Sequence, residues 1–268
     1  MPIEIFTGDA AYTNAAAMPA NILLYSDPGM GKSTDAVAAF CSGGVCHAFV
    51  VQCEDNAVKA PVSRGLPTPE HSGTIKTWED MYQACAFVQQ YKSRYSAIIV
   101  DGFSIFSSNL YKQAQETIGK AAKNKFDVPV FVRTKLIEFR SWLREIGLHS
   151  VLIAHPVQPA MQDGLFFPGG FSVTPKSLIG DYYSQTDTVL RVGYVYPTPP
   201  ATPPMPGAPQ PLPTRVYFTG GQAWPEQFVQ PGDWRFWRTK NREGCNSAIV
   251  PADLGAFLRS KQPPYGGL

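Results

Sequence analysis

Nine consecutive residues near the start of the chain combine the groups that bind phosphate: Ser26, Asp27, Pro28, Gly29, Met30, Gly31, Lys32, Ser33 and Thr34. The two glycines let the backbone curl tightly, so that successive amides point inward at phosphate oxygens. Lys32 supplies a mobile positive charge for the β- and γ-phosphates. Ser33 offers a hydroxyl to Mg²⁺, and Thr34 lies beside it, near the α-phosphate. The segment predicts a binding site for ATP or a close relative.

This segment resembles the Walker A loop, G-x-x-x-x-G-K-[ST], of P-loop nucleoside triphosphatases. Ser26 stands where the first glycine belongs, at the junction of strand and loop, where a side chain costs little. A strand is predicted before the loop and a helix after it, and the free amides and dipole of that helix favour an anion. The alternative is a chance glycine turn before a helix.

A carboxylate follows a second apolar run, Ile98-Ile-Val-Asp101. This run resembles the Walker B strand, whose terminal aspartate holds Mg²⁺ through its water shell. On its own the pattern is weak, but it comes two strand units after the phosphate loop. Ser33 and Asp101 are therefore the predicted metal ligands.

Short apolar runs alternate with helical patterns along the first 155 residues. Strands are predicted at 21–25, 47–52, 96–101 and 150–155, with a further one at 74–77, and helices at 33–40 and 78–91. This alternation predicts a mainly parallel sheet covered on both faces. Residues 156–180 show no clear period, and nine prolines between 197 and 213 predict a solvated loop across a hairpin of strands 188–194 and 215–218.

Composition limits the possible classes of protein. The chain has 268 residues, 44% hydrophobic, with a formal net charge of +2, so one α/β domain is expected and two small domains are the alternative. No run approaches the roughly 20 apolar residues of a membrane span, and we expect a cytoplasmic protein, in the bacterial host if a phage encodes it. Cys41, Cys46, His47 and Cys53 suggest zinc, but buried thiols are the preferred interpretation.

Two further polar residues follow predicted strands. Glu54 comes after strand 47–52, where a carboxylate can orient and activate the attacking water. His155 ends strand 150–155. AAA+ proteins instead place the glutamate directly after the Walker B aspartate, where this chain has Gly102, and no guanine-reading Asn-Lys-x-Asp run is present. If Glu54 is not the base, Asp55 is the next candidate.

With these residues, the chain resembles the RecA superfamily over about residues 20–245, and most of all the minimal RecA-core ATPases of bacteriophages that act in single-strand annealing and recombination. The resemblance implies a three-layer α/β P-loop core with a C-terminal antiparallel extension. It also implies that Glu54 is the catalytic glutamate and that His155 senses the γ-phosphate. Lys240 or Arg242 would reach the γ-phosphate of a neighbouring subunit in a ring or filament; a solvated strand end is the alternative.

Single-stranded DNA is the expected partner, because seven basic residues against two acidic ones lie between Lys120 and Arg144. In the family, the loops after the Walker B and sensor strands line the DNA channel, here about 104–132 and 156–180. The predicted contacts are Lys120, Lys123, Lys125, Arg133, Phe166, Phe167 and Phe171. Phe126, Phe131 and Phe139 are interleaved with the basic residues, but an amphipathic helix pair with Leu136, Phe139, Trp142 and Leu143 in the core is the preferred interpretation.

The expected organisation is an N-terminal segment at 1–20, a candidate oligomerisation contact, then an ATPase core at 21–258 and a flexible tail at 259–268. The expected function is DNA-stimulated ATP hydrolysis that promotes annealing or homologous recombination, with a single-strand-binding protein as a further candidate partner. Two alternatives stay open. One is a hexameric RecA-like helicase or packaging motor, and the other is a nucleotide-gated scaffold or regulatory protein that does not bind DNA.

Overall fold

The protein was analysed as a computed structural model, which describes residues 19–55, 57–119, 124–158, 160–162, 165–167, 170–195, 212–219, 240–241 and 249–259. For residues 160–162, 165–167, 240–241 and 249 it describes the backbone alone.

A nine-stranded sheet forms the centre of the described part of the chain, in the order β15-β13-β12-β1-β7-β6-β4-β5, with β14 beside β12. Every pairing from β12 to β5 is parallel, and β13, β14 and β15 are antiparallel additions at one side. The predicted fold class, a mainly parallel sheet with an antiparallel C-terminal extension, is confirmed. The strands are β1 Asn21–Tyr25, β4 Ala48–Gln52, β5 Glu70–Thr74, β6 Ala97–Asp101, β7 His149–Ala154, β12 Thr188–Val195, β13 Thr214–Phe218, β14 Lys240–Asn241 and β15 Ile249–Pro251.

Helices cover both faces of the sheet. They are α1 Lys32–Ala38, α2 Lys59–Ser63, α3 Trp78–Gln90, α4 Phe103–Thr117, α5 Asp127–Glu145, α6 Leu178–Gln185 and α7 Leu254–Arg259. Buried residues of α3, α4, α5 and α6 form one core with one face of the sheet. Buried residues of α1 and α7 form a second core with the other face. No described helix has the length and apolar character needed to cross a membrane.

The central strands carry side chains that suit burial on both faces. Every residue of β1, β4 and β6 is buried, which is why these strands read as continuous apolar runs rather than alternating ones. One prediction needs correction: the strand expected at 74–77 lies at Glu70–Thr74. Thr77 instead caps α3, since its hydroxyl accepts from the Asp80 amide and the Asp80 carboxylate accepts from the Thr77 amide.

Short ribbons complete the structure: β2 Cys41–Ser42 with β3 Val45–Cys46, β8 Pro156–Val157 with β11 Gly170–Phe171, and β9 Ala160–Gln162 with β10 Leu165–Phe167. The region at 156–180 that lacked a sequence period is therefore partly regular. The hairpin predicted around the proline-rich loop is confirmed by the pairing of β12 with β13. Most of that loop, 196–211, lies outside the described residues.

The cysteines considered for zinc lie on two sides of the sheet. Cys41 and Cys46 face each other across the ribbon of β2 and β3 and pack against the α1 core. Cys53 is buried in the opposite core. Cys53 therefore cannot join the other two cysteines around one ion.

Candidate active site

The phosphate loop lies between β1 and α1, as the sequence predicts. Gly29 and Gly31 both have φ 78°, in the left-handed region that favours glycine. Gly31 is the N-cap of α1, and Lys32 is the first helical residue. The unpaired amides at the start of this helix therefore belong to the same segment as the lysine.

The ammonium group of Lys32 is folded onto its own loop. It donates to the Ser26 carbonyl at 2.8 Å, to the Ser26 hydroxyl at 3.2 Å and to the Asp27 carbonyl at 3.0 Å. Burial lowers the pKa of Lys32, while Asp101, Glu54 and Asp27 oppose that change. The lysine is thus a buried cation surrounded by carbonyls and carboxylates, and phosphate oxygens are a natural replacement for the carbonyls.

Asp101 ends β6 beside the first turn of α1. It is buried, and the Ser33 hydroxyl is near enough to influence the pKa of its carboxylate. Burial raises the pKa of Asp101 to about 6, a change strengthened by Glu54 and opposed by Ser33, Lys32 and His155. A buried carboxylate and a nearby hydroxyl are both hard oxygen ligands, so the donor set fits Mg²⁺.

Glu54 follows β4 and faces the same region. Its Oε1 lies 2.8 Å from Nε2 of His155, the residue that follows β7. The hydrogen bond from His155 lowers the pKa of Glu54, and Lys32 adds to this effect while burial opposes it. Glu54 is therefore held as a carboxylate, in one orientation, by a residue 101 positions away in sequence.

Sheet order explains why these residues meet. β1, β7, β6 and β4 are consecutive parallel neighbours, so their carboxyl ends share one edge. Lys32, His155, Asp101 and Glu54 each follow or end one of these four strands. The structure brings together the four residues that the sequence assigned to the phosphates, the metal ion and the attacking water.

Gly102 makes room for Glu54, a feature that sequence reasoning missed. Gly102 has φ 88°, and a Cβ atom built on it would overlap Glu54 Cγ and lie 3.0 Å from Oε1. The Glu54 side chain, which follows β4, thus occupies the space in which a side chain at position 102 would lie. The glycine itself was visible in the sequence, but nothing in the sequence shows that Glu54 packs against it.

Ser104 of α4 holds the backbone of His155 in place. The His155 amide donates to the Ser104 hydroxyl at 2.9 Å, and that hydroxyl donates to the Ser172 carbonyl at 2.7 Å. The Ser172 amide in turn donates to the His155 carbonyl at 2.8 Å. These bonds tie the end of β7 to the segment that follows β11, so a displacement of His155 also displaces that segment.

Sequence reasoning also missed two side chains of β13, Arg215 and Tyr217, which contact the phosphate loop and α1. Arg215 of β13 donates to the Met30 carbonyl and to both carboxylate oxygens of Asp35 in the first turn of α1. The Tyr217 hydroxyl donates to the same carboxylate. The one sequence signal was the placement of Arg215 and Tyr217 two residues apart on a strand, which puts them on one face.

The structure corrects part of the predicted DNA surface. Phe171 is fully buried, with its ring against Tyr25, so it offers no face to a base. Arg140, counted among the seven basic residues, is also fully buried and donates to the Gln185 carbonyl at 3.0 Å. The loop expected at 104–132 is largely helical, since α4 and α5 occupy most of it. Leu136, Phe139 and Leu143 are buried, as the amphipathic interpretation predicted.

The other residues predicted to contact DNA lie on the surface, or outside the part of the chain whose side chains are described. Phe126, at the start of α5, is 56% exposed, and Lys125 Nζ lies 5.2 Å from the centre of its ring. Arg133 is on the surface and pairs with Asp181 at 2.9 Å. Lys120, Lys123 and Arg242 lie outside the described residues, and for Phe166, Phe167 and Lys240 only the backbone is described.

The chain is similar to a protein-family model and to several solved structures. A family model described as "AAA domain" matches residues 18–164. Among solved structures, the RadB recombinase matches with 14% identity and a TM-score of 0.42, covering 75% of this chain and 80% of that one. A KaiC-like protein from the archaeon Pyrococcus horikoshii OT3 matches with 12% identity and a TM-score of 0.44, covering 75% and 78%. A search of curated proteins finds no match.

The family match spans more than half of the chain and includes the phosphate loop, Glu54, Asp101 and His155. Glu54 follows β4, and a glycine, Gly102, directly follows Asp101. The chain belongs to the AAA-domain family and has the fold and the phosphate loop of a RecA-like P-loop protein.

Proposed function

We propose that this protein is a Mg²⁺-dependent ATPase that binds single-stranded DNA and promotes annealing or homologous recombination, in a bacteriophage. The observation that carries the proposal is the position of Glu54, held by His155 at the edge of the sheet that also presents Lys32 and Asp101. A passive nucleotide-binding site needs no oriented carboxylate on its γ-phosphate side. This carboxylate is the group that hydrolysis requires.

In the proposed reaction, Glu54 accepts a proton from the water that attacks the γ-phosphate. A lowered pKa keeps Glu54 ionised and ready to accept. Lys32 exchanges its loop carbonyls for β- and γ-phosphate oxygens and balances their charge. Before the reaction, the hydrogen bond from His155 orients the Glu54 carboxylate. When the phosphate leaves, His155 shifts, and its backbone hydrogen bond transmits that shift to the segment around Ser172.

Ser33 and Asp101 would hold Mg²⁺. When bound, the ion neutralises charge on the phosphate oxygens. The proximity of the Ser33 hydroxyl and Asp101 supports this assignment, because both are oxygen ligands, one in the first turn of α1 and the other at the end of β6. The raised pKa of Asp101 also supports a metal ion here, since a nearby cation stabilises the ionised form of a buried carboxylate.

DNA binding is proposed for the start of α5 and for the segment after β7. Phe126 supports this location because an exposed aromatic ring beside a lysine suits stacking on a base next to a phosphate. Lys125 and Arg133 supply positive charge there. Lys120, Lys123, Phe166 and Phe167 remain proposed contacts, and the link from His155 to the segment after β7 offers a route by which DNA alters hydrolysis.

Assembly is part of the proposal. Lys240 or Arg242 of one subunit would act on the nucleotide of its neighbour in a ring or filament, with residues 1–20 as an additional contact. Residues 21–258 would form the core and 259–268 a tail. A single-strand-binding protein is the expected partner at the DNA.

We expect Glu54→Gln to bind ATP as the wild type does and to lose turnover by about 10²- to 10⁴-fold, because the amide keeps the shape but cannot accept the proton. Phosphate release and ATP titration measure the two properties. Asp55→Asn is the matched control, since Asp55 is the adjacent carboxylate and accepts from Thr74 at 2.7 Å. Loss of turnover in the control instead of in Glu54→Gln would move the base to Asp55.

Gly102→Ala should impair turnover by displacing Glu54. Its control is Gly147→Ala, because Gly147 has φ 76° and a Cβ there has no neighbour within 4 Å. Both changes carry the cost of a left-handed alanine, about 1–3 kcal/mol, so both lower the melting temperature. Only Gly102→Ala should lower the hydrolysis rate of the folded protein. Equal rates in the two variants would show that the contact between Gly102 and Glu54 has no catalytic consequence.

Single-stranded DNA should stimulate steady-state ATP hydrolysis, and Lys32→Ala should abolish both the basal and the stimulated rates. The stimulation should fall with added salt, as phosphate contacts require. Translocation on DNA during hydrolysis would favour the helicase or motor alternative. Hydrolysis that is indifferent to DNA would contradict the recombination function and favour a nucleotide-gated scaffold.

A further inference from the structure

Arg215 connects the hairpin of β12 and β13 to the phosphate loop. Arg215 is paired with Tyr194 and Tyr217 with Val192 across the hairpin, so Arg215 and Tyr217 point to the face that carries α1. Tyr217 is buried in the core shared with α1 and α7. Arg215 lies above it, at the level of the phosphate loop.

Three donors of the Arg215 guanidinium are used on that loop and on its helix. Nε donates to the Met30 carbonyl at 2.7 Å, and Nη1 donates to Asp35 Oδ1 at 2.8 Å. Nη2 donates to Asp35 Oδ2. The Tyr217 hydroxyl adds a bond to Asp35 Oδ2 at 2.6 Å. A lysine could not reproduce this set, because only a guanidinium presents parallel donors to a carboxylate and a third donor beside them.

Gly31 lies under the same guanidinium. A Cβ at Gly31 would lie 3.2 Å from Arg215 Nη2 and 3.5 Å from Arg64 Nη1. Met30 and Gly31 form the last turn of the phosphate loop before Lys32, and Asp35 lies one turn into α1. Arg215 therefore spans the junction at which the loop amides and the helix amides must be aligned for phosphate.

The charge of Asp35 needs compensation at this place. Asp35 lies in the first turn of α1, on the helix whose N-terminus takes the phosphates. An unpaired carboxylate there would repel an incoming triphosphate. Arg215 and Tyr217 bind both of its oxygens, so that the negative charge is held away from the phosphate path.

We propose that Arg215 is a positioning residue for the nucleotide site: it aligns the phosphate loop before nucleotide arrives and neutralises Asp35, so that nucleotide affinity depends on the β12–β13 hairpin. The inference rests on the proposed ATPase function and assigns Arg215 no contact with the reacting atoms. It also gives the hairpin, whose connection contains the proline-rich loop, a direct mechanical link to the nucleotide.

Arg215→Lys tests the proposal with Mg–ATP as the probe. It should raise the KM for ATP by roughly 10- to 100-fold, as expected for the loss of charge-assisted hydrogen bonds. Saturating kcat should stay within about twofold, because Glu54 and His155 are untouched. A general structural defect would lower the amount of active enzyme and hence kcat. Arg94→Lys is the matched control, because Arg94 makes another arginine–carboxylate pair, with Glu70 at 2.7 Å, at the opposite end of the strands.

A double-mutant cycle with Asp35→Asn separates the alignment of the phosphate loop by Arg215 from the neutralisation of the Asp35 charge. If the two residues act as one unit, their effects on KM should be clearly less than additive. Tyr217→Phe, which removes one bond to Asp35, is the milder variant if Arg215→Lys does not fold, and should raise KM by a smaller factor. Unchanged KM in these folded variants would overturn the inference while leaving the ATPase assignment intact. A wild-type protein that does not bind Mg–ATP would overturn both.

Discussion

The parallel register of β1, β7, β6 and β4 is the constraint on which the candidate site depends. Because the four strands run in one direction and end at one edge, residues separated by more than a hundred positions meet there. Asp101, Glu54 and His155 lie at or just after the ends of their strands, and the phosphate loop after β1 adds Lys32. Alternate residues of these strands pack into two different cores on opposite faces of the sheet, and this packing sets the register and with it the geometry of the site.

Charge balance at this edge suits a polyanion. Lys32 is buried and satisfied by carbonyls, Asp101 is buried with a pKa raised to about 6, and Glu54 is kept ionised by His155. Burial disfavours the charged forms of Lys32 and Asp101, so both charges are costly in place. A triphosphate with its metal ion relieves both at once. The charges at this edge therefore suit a triphosphate with its metal ion.

Sequence patterns predicted the sheet, the phosphate loop and the four residues at its edge, because each depends on local spacing and on strand order. They did not predict the contact of Gly102 with Glu54 or the bonds of Arg215 to Met30 and Asp35, which join positions far apart in sequence. They also counted Arg140 and Phe171 as surface groups, although both are fully buried. Residue type indicates what a side chain can do, but tertiary packing decides which side chains are accessible.

We propose that the phosphate loop and Asp101 form one site for a nucleotide and its metal ion. Calorimetric titration with ATP, in the presence of Mg²⁺ and of a chelator, tests this claim most directly when wild type and Asp101→Asn are compared. We expect tighter ATP binding with Mg²⁺ than with the chelator in the wild type. In the variant we expect that difference to be lost and the metal-free affinity to be retained. An equal gain from Mg²⁺ in both proteins, or no ATP binding by the wild type, would contradict it.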